Sequence, residues 1–430
     1  MNDPFRLTAL AAIRHIQAGR LTPLELMESC LERIALREPS TRALVDFDPE
    51  QARRAARSAR PGRLHGIPIG VKDVLDTADL ASQYGSGIWR GHRPRADAAC
   101  VALARAQGAA LLGKTVTTEF AVRVPGPTTN PHNAAHTPGG SSSGSAAGVA
   151  DFYFPLSIGT QTAGSTIRPA AFCGVVGYKP TYGMIPRMGM KLMSESLDTV
   201  GVMARSVADC ALFAGVMSAR NLGDPDSRAE RAPRIGICRS PAWDDALPET
   251  HALMERIGRR AGRRAARLVE YELPSAYASI MTSHMVVQFH ESALSMAWEL
   301  QTHRDAISET LRTLLDEGSS VSPDVLAEAY GSQAMLRRAF ADDLGDLDIL
   351  LTPAAPGQAP KGLRWSGGGA FNRLWTTLHV PCVTVPAGVG PDGLPLGIQI
   401  VGRRGHDAAV LAWARWLQAE LDTCNDDTCA

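Results

Sequence analysis

The sequence predicts an α/β fold: one large domain in which helices cover both faces of a central mixed, mainly parallel sheet. Three observations predict it. Strand-like and helix-like stretches interleave along the whole chain, the pattern of a layered α/β architecture. The chain has 430 residues, 45% hydrophobic and 20% charged, enough to bury a large core. No internal repeat and no convincing linker interrupts it, so one domain is expected rather than two.

The elements follow in order. Residues 1–60 read as helices. In "LTPLELMESCLERI", Thr22 is placed as N-cap, Pro23 at the first helical position and Glu25 to close a capping box. In "QARRAARSAR", Arg53, Arg54, Arg57 and Arg60 are spaced for an exposed helical face. The text then changes. In "HGIPIGVKDVLDT", Ile67, Ile69 and Val71 alternate with Pro68, Gly70 and Lys72, which is strand periodicity. "DAACVALARAQGAALLGKTVTTEF" reads as a helix, a turn and a buried strand around "ALLGKT". A helix at "GSAAGVAD" and a strand at "YFPLSIGT" follow, then the turn-rich "QTAGSTIRPAAFCGVVGYKP". "RIGICRS" at 234–240 starts another strand, and 245–345 reads as mostly helical. "LDILLTPAAP" and "PCVTVPAGVG…LPLGIQIVG" supply further strands before the closing helix "DAAVLAWARWLQAEL".

Charge and cysteine usage narrow the function. Lys plus Arg (44) equals Asp plus Glu (44), so no global field draws nucleic acid or anionic lipid, and a small molecule is the expected partner. The arginine run "RIGRRAGRRAAR" at 256–267 contains no stacking aromatics and reads as a solvated helix face. No apolar run is long enough to span a bilayer, and "MNDPFRLTALAAI" lacks the pattern of a cleaved signal peptide. The eight cysteines, at 30, 100, 173, 210, 238, 382, 424 and 429, make no CxxC pair. Cys424 and Cys429 fall in a polar tail that reads as frayed. Reduced thiols in a cytoplasmic protein are expected, with no metal and no cofactor; the sequence leaves a homodimer open.

The stretch "HTPGGSSSGSAAGVA", 136–150, concentrates serine and glycine. It is no P-loop, because no lysine precedes a Ser or Thr after its last glycine. Gly140-Ser141-Ser142-Ser143-Gly144 satisfies G-x-S-x-G, but the preceding "NPHNAAHTP" is not the strand a nucleophile elbow needs. His132 and His136 flank the loop and read as turn-capping residues rather than partners of a serine. Upstream, "GIPIGVKD" places Lys72 on the strand face opposite Ile69 and Val71. Downstream, "GTQTAGSTIRPAAFCGVVGYKPTYG", 159–183, crowds small residues around Ser165.

Together these segments resemble the amidase signature family of serine hydrolases. "HGIPIGVKDVLDT", "GKTVTTEFA", "NPHN", "PGGSSSGSAAG", residues 159–183, "SLDTVGVMARSVAD" and "VPCVTVPAG…LPLGIQIVG" follow the family pattern in order. The matches run from about residue 65 to 210 and again from about 347 to 405; the closing strands and helix extend to 421. The stretch 220–345 carries little of the pattern and is expected to be the variable, substrate-shaping part. The resemblance implies the amidase signature fold and a Ser–Ser–Lys triad. Ser165 takes the nucleophile's place, Lys72 the general base's, and Ser141 that of the bridging serine, which the family holds in a cis peptide. The backbone N–H groups of Thr162, Ala163, Gly164 and Ser165 take the oxyanion hole's place.

The chemistry agrees with those places. An amide carbonyl is a poor electrophile, so attack needs an activated hydroxyl and donors for the developing oxyanion. A lysine is a base only when neutral, and desolvation lowers its reference pKa of about 10.4. Ser142, Ser143 and Ser145 read as structural hydrogen-bonders, with at most an assisting role for Ser142.

The resemblance implies hydrolysis of a small amide C–N bond through an acyl-enzyme, with release of ammonia or an amine. Arg168, three residues after Ser165, stands where family members acting on malonamate-like substrates carry an arginine. It is expected to bind a substrate carboxylate or, equally, to make a structural ion pair. Two alternatives stand beside this reading. One is the glutaminase (A-type) subunit of an aminoacyl-tRNA amidotransferase, which usually carries Asp-Thr-Gly-Gly-Ser-Ile-Arg where Gln161-Thr162-Ala163-Gly164-Ser165-Thr166-Ile167 stands here. The other is a non-catalytic scaffold with the same fold.

Overall fold

The computed structural model describes residues 3–223, 229 and 231–422. Eleven strands form one sheet: β1 (Leu44–Asp46), β2 (Pro68–Lys72), β3 (Ala110–Thr115), β4 (Leu156–Gln161), β5 (Val176–Lys179), β6 (Thr199–Ala204), β7 (Arg234–Ile237), β8 (Arg267–Glu270), β9 (Ile349–Pro353), β10 (Cys382–Val389) and β11 (Pro395–Val401). Their order across the sheet is β1-β3-β2-β4-β6-β5-β10-β11-β9-β7-β8. The sheet is mixed, but the expectation that it is mainly parallel is corrected. Among the described residues six of its ten pairings are antiparallel; only β3-β2-β4 and β9-β7-β8 run parallel. The reason lies in the connections. β10 and β11 are joined by a short turn with no crossover helix, and such a connection returns antiparallel.

Two further elements depart from the sequence reading. Residues 1–60 are not all helical, because β1 pairs as an antiparallel edge strand with β3. The mostly helical stretch 245–345 also contains β8, which closes the far edge against β7. Elsewhere the agreement is close. The first three helices are α1 (Ala9–Gln17), α2 (Pro23–Thr41) and α3 (Pro49–Arg57). α2 starts at the expected capping box: the Thr22 hydroxyl accepts from Glu25 N–H and the Glu25 carboxylate accepts from Thr22 N–H. β3 covers "ALLGKT" and is buried throughout.

α4 (Ala99–Ala106) precedes β3, and α5 (Ser143–Ala150) follows the serine loop. α5 packs on β2, β3, β4 and β6. Its composition explains how closely it lies. A Cβ on Gly148 of α5 would come within 2.4 Å of the Phe154 ring, and one on Gly70 of β2 would come equally near the same ring. The ring therefore fills the space that two missing side chains leave between helix and strand. Further on come α6 (Ile167–Cys173), α7 (Val207–Ser218) and α8 (Pro248–Gly262). α9 (Ile280–Ser295), α10 (Ala297–Thr302), α11 (Glu309–Ser319) and α12 (Pro323–Asp343) build the helical part, and α13 (Ala370–Thr377) and α14 (Asp407–Asp422) complete the set. The arginine run begins in α8 but outlasts it. Arg259 pairs with Glu255, Arg264 with Glu420 and Arg267 with Asp346. The six described cysteines are buried free thiols; Cys424 and Cys429 lie outside the described residues. Among the described residues no helix is long and apolar enough to cross a membrane.

The end of α5 is tied to α2 by one buried carboxylate. Asp151 accepts from Arg33 at 2.6 Å, from Arg37 at 3.0 Å and from the Thr41 hydroxyl. Asp151→Ala leaves two partly exposed guanidinium groups and a buried hydroxyl without their acceptor, and is expected to cost about 2–3 kcal/mol. A chemical denaturation curve measures this, and an unshifted midpoint would show that Asp151 does not hold α2 to α5.

Candidate active site

Lys72 is the last residue of β2, which lies between β3 and β4 with both neighbours parallel to it. Side chains that leave the carboxyl ends of parallel strands meet in the crevice where such sheets bind ligands. Lys72 is fully buried, and its Nζ donates to Ser141 Oγ at 2.7 Å and to Thr160 Oγ1 at 2.7 Å. Two other fully buried lysines show what is unusual in this. Lys114 meets the Asp73 carboxylate at 3.0 Å, and Lys179 donates to the carbonyls of Pro180 and Val380. Among the described residues the hydrogen-bond partners of the Lys72 Nζ are hydroxyls only. Burial pushes its pKa down to about 7, against the field of Asp198, while Arg168 pushes in the same direction as burial.

Ser141 opens the segment that leads into α5, and the Gly140–Ser141 peptide is cis. Its neighbours fix that segment, in the structural role the sequence implies for them. Ser142 Oγ donates to Thr160 O and accepts from Thr160 N–H. Ser143 Oγ donates to Val116 O, and Ser145 Oγ to Ile158 O. Ser142 N–H donates to the carbonyl of Ser165 at 3.3 Å, joining this segment directly to the second one. The two histidines turn elsewhere: His132 meets the Cys173 carbonyl and His136 that of Ala359.

Ser165 sits in the turn between β4 and α6. Gln161 holds that turn, because its Oε1 accepts from Thr166 N–H at 2.9 Å and Ile167 N–H at 3.0 Å. Its Nε2 donates to Thr376 Oγ1, whose hydroxyl donates to Ala163 O at 2.7 Å. On the other side Thr162 Oγ1 donates to Asp198, which also accepts from the N–H groups of Met193 and Ser194. Among the described hydrogen bonds none uses the N–H of Thr162, Ala163, Gly164 or Ser165 as donor. Four successive donors without acceptors, beside a hydroxyl, can receive a developing oxyanion.

Ser141, Thr162, Ala163, Ser165 and Arg168 line one cavity of about 770 Å³. The residues expected from the sequence are thus together, except that Lys72 lies beneath the wall, reaching it through Ser141, and Gly164 behind it. Arg168 is buried. Its Nε donates to Ser366 O at 3.1 Å and its Nη2 to Gly140 O at 2.5 Å. The expected structural ion pair is absent among the described residues; Arg168 instead grips the carbonyl of the peptide that carries Ser141. Burial, and then the nearby Arg373, push its pKa down to about 10. Sequence alone does not single out Thr160, Gln161, Asp198 or Thr376 as site residues, nor the arginines at 123, 364 and 373 that also face the cavity. Thr160, Gln161 and Asp198 stand inside family-like motifs; Thr376 and the three arginines carry no local signal. Among the described residues no group of three or more His, Cys, Asp or Glu is placed to hold a metal ion.

A parallel-stranded crevice brings together a buried lysine, two serines and backbone donors that lack acceptors among the described residues, and by family the chain is an enzyme acting on amide C–N bonds. The chain belongs to the amidase family, whose sequence pattern matches residues 25–411. It is 34% identical to the A-type subunit of the glutamyl-tRNA(Gln) amidotransferase of Chloroflexus aggregans, with 96% of each chain covered. Among solved structures it resembles 6-aminohexanoate cyclic dimer hydrolase, with a TM-score of 0.88 and 26% identity over 97% of this chain and 98% of that one. It also resembles the peptide amidase of Stenotrophomonas maltophilia, with a TM-score of 0.83 and 28% identity over 97% of each.

Gly164 tests how tightly the turn is packed. A Cβ there would lie 2.3 Å from Asn372 Oδ1, and Asn372 is buried and held through Nδ2 by Ala354 O and Gln399 Oε1. The asparagine therefore cannot swing aside freely. Gly164→Ala is expected to destabilise the fold by about 1–3 kcal/mol through overpacking. A wild-type melting curve for this variant would contradict the packing described.

Proposed function

We propose that this chain hydrolyses the C–N bond of a small, carboxylate-bearing amide through an acyl-enzyme on Ser165. The observation that carries the reading is the 2.7 Å contact of buried Lys72 with Ser141, on the wall of the cavity that Ser165 and the free N–H groups share. Neutral Lys72 takes the proton of Ser141 as Ser141 takes that of Ser165. Ser165 Oγ forms a bond to the amide carbon, and the carbonyl oxygen gains charge opposite the N–H groups of Thr162–Ser165. The C–N bond then breaks as the proton returns through Ser141 to the leaving nitrogen, which departs as ammonia or an amine. Water reverses the relay and frees the acid. Arg168 keeps Gly140, and so Ser141, in place for these steps. Its Nη1 is near enough to Gly369 that a Cβ there would lie 2.7 Å away, so the arginine reaches the cavity wall only beside a glycine. Buried free thiols fit a cytoplasmic setting.

The curated relatives favour a second reading, the A-type subunit of an amidotransferase, at 30–34% identity over 96% of this chain. That reading needs glutamine, whose α-ammonium calls for a carboxylate partner. The residues lining the cavity include no Asp or Glu. The lining therefore supports an acid amide without an amino group.

Ammonia release by the purified chain separates the two. The expected result is turnover of small acid amides, weaker turnover of neutral ones and none of glutamine. Turnover of glutamine alone, and only with added amidotransferase subunits, would overturn the first reading. Ser165→Ala should abolish turnover while the thermal melt stays close to wild type.

The pH profile tests Lys72. Only its neutral form accepts a proton, so kcat/KM should rise with pH and level off above about 7. A rising limb centred near the free-lysine value of about 10.4 would remove Lys72 as the base.

A further inference from the structure

The cavity beyond Ser165 is lined by four arginines, Arg123, Arg168, Arg364 and Arg373, and by no acid. Among the described residues no ion pair engages any of the four. They are not equivalent. Arg168 has its Nε and one Nη on backbone carbonyls. Arg364 is exposed at the cavity mouth, and exposed Arg123 rests its guanidinium over the Phe289 ring at 5.4 Å. Arg373, on α13, is half-buried, and its Nε is out of water with no hydrogen-bond partner.

A buried donor without an acceptor is costly, and a cationic one more so. Here the cost is compounded by neighbours of the same sign: Arg123 acts on Arg373, and Arg373 in turn on Arg168. Asp245 is the carboxylate whose field reaches Arg373, but it forms no ion pair with it and does not line the cavity. Among the described residues the planar fork of Arg373, beside the nucleophile's pocket, thus lacks an acceptor at its Nε. A carboxylate accepts two parallel bonds from such a fork.

We propose that Arg373, with Arg123 at the rim, is the seat for the substrate's carboxylate, and that Arg168 serves the relay segment instead. The assignment of that carboxylate to a substrate rests on the proposed amide hydrolysis; the anion seat itself does not. The unliganded site is electrostatically strained, and an anion relieves it. Arg364 adds to the field that draws the anion in.

The experiment uses succinate as the probe and reads binding apart from catalysis. Succinate should raise the melting temperature of the wild type and of Ser165→Ala alike, because neither the seat nor its charge depends on the nucleophile. Arg373→Gln should melt at or above the wild-type temperature without ligand, since it removes an unpaired cation. Its succinate affinity should fall about 10- to 150-fold, the range for a lost hydrogen bond to a charged group. Arg373→Lys should recover part of that loss. With substrates, Arg373→Gln should raise KM for an acid amide and spare a neutral one, whereas Arg168→Ala should lower kcat on both. Succinate binding retained by Arg373→Gln, or no succinate binding to the wild type, overturns the seat. Loss of stability in unliganded Arg373→Gln with succinate binding intact would assign Arg373 to Asp245. If the wild type binds succinate but hydrolyses no amide, the hydrolase reading fails and the seat stands.

Discussion

An ammonium group without a carboxylate beside it is among the least tolerable things to place inside a protein, and Lys72 sits fully buried at the end of β2, its Nζ bonded among the described residues to hydroxyls only. The interior admits it by favouring the uncharged amine. Much of the surrounding structure follows from keeping that place dry and hydroxyl-lined. β2 must be flanked on both sides, so β3 and β4 enclose it. α5 must close over it, and Gly70 and Gly148 let the Phe154 ring fill the gap. The serines after Ser141 must hold their own strand partners so that Ser141 faces the amine.

A second dependence runs outward from this centre. The chemistry-bearing side chains stand at the ends of β2 and β4 and on the segment that leads into α5, but the cavity wall opposite them is built from residues 363–369 and α13. Arg168 joins the two, since it holds Gly140 on one side and Ser366 on the other. Thr376 joins them again through Ala163. The wall that chooses a substrate is therefore braced against the segment that moves the proton, and a change in one is felt in the other.

Much of this is legible in the sequence, for identifiable reasons. The capping box at Thr22–Glu25 and the strand at 110–115 are local, and local chemistry decides them. Lys72, Ser141 and Ser165 stand out because each lies in a dense motif. Strand direction is not legible: hydrophobic periodicity is the same for parallel and antiparallel partners, and β10–β11 reverses through a turn the pattern does not mark. β1 has only three residues and β8 begins within the arginine run, so neither offers a periodic stretch to read. Arg373 is invisible in the sequence because its meaning comes from what is missing around it. An arginine in a helix ordinarily faces solvent, and only the folded chain shows that this one has no ion-pair partner and no acceptor for its Nε among the described residues.

The strand order also bears on how the protein is made. β10 and β11 follow β1 to β9 in the sequence, yet they lie inside the sheet, between β5 and β9. Asp407, beyond both, accepts from the Tyr178 hydroxyl at 2.6 Å and so latches the start of α14 to β5. Until residues 382–401 leave the ribosome, the first part of the sheet ends at β5 with its backbone groups unpaired, and the group β9-β7-β8 has no strand that joins it to β5. An open sheet edge of that kind pairs with whatever strand it meets. The nascent chain carries its hydroxyls and its lysine well before it has a closed sheet, and its solubility on the ribosome depends on residues 382–401 arriving promptly.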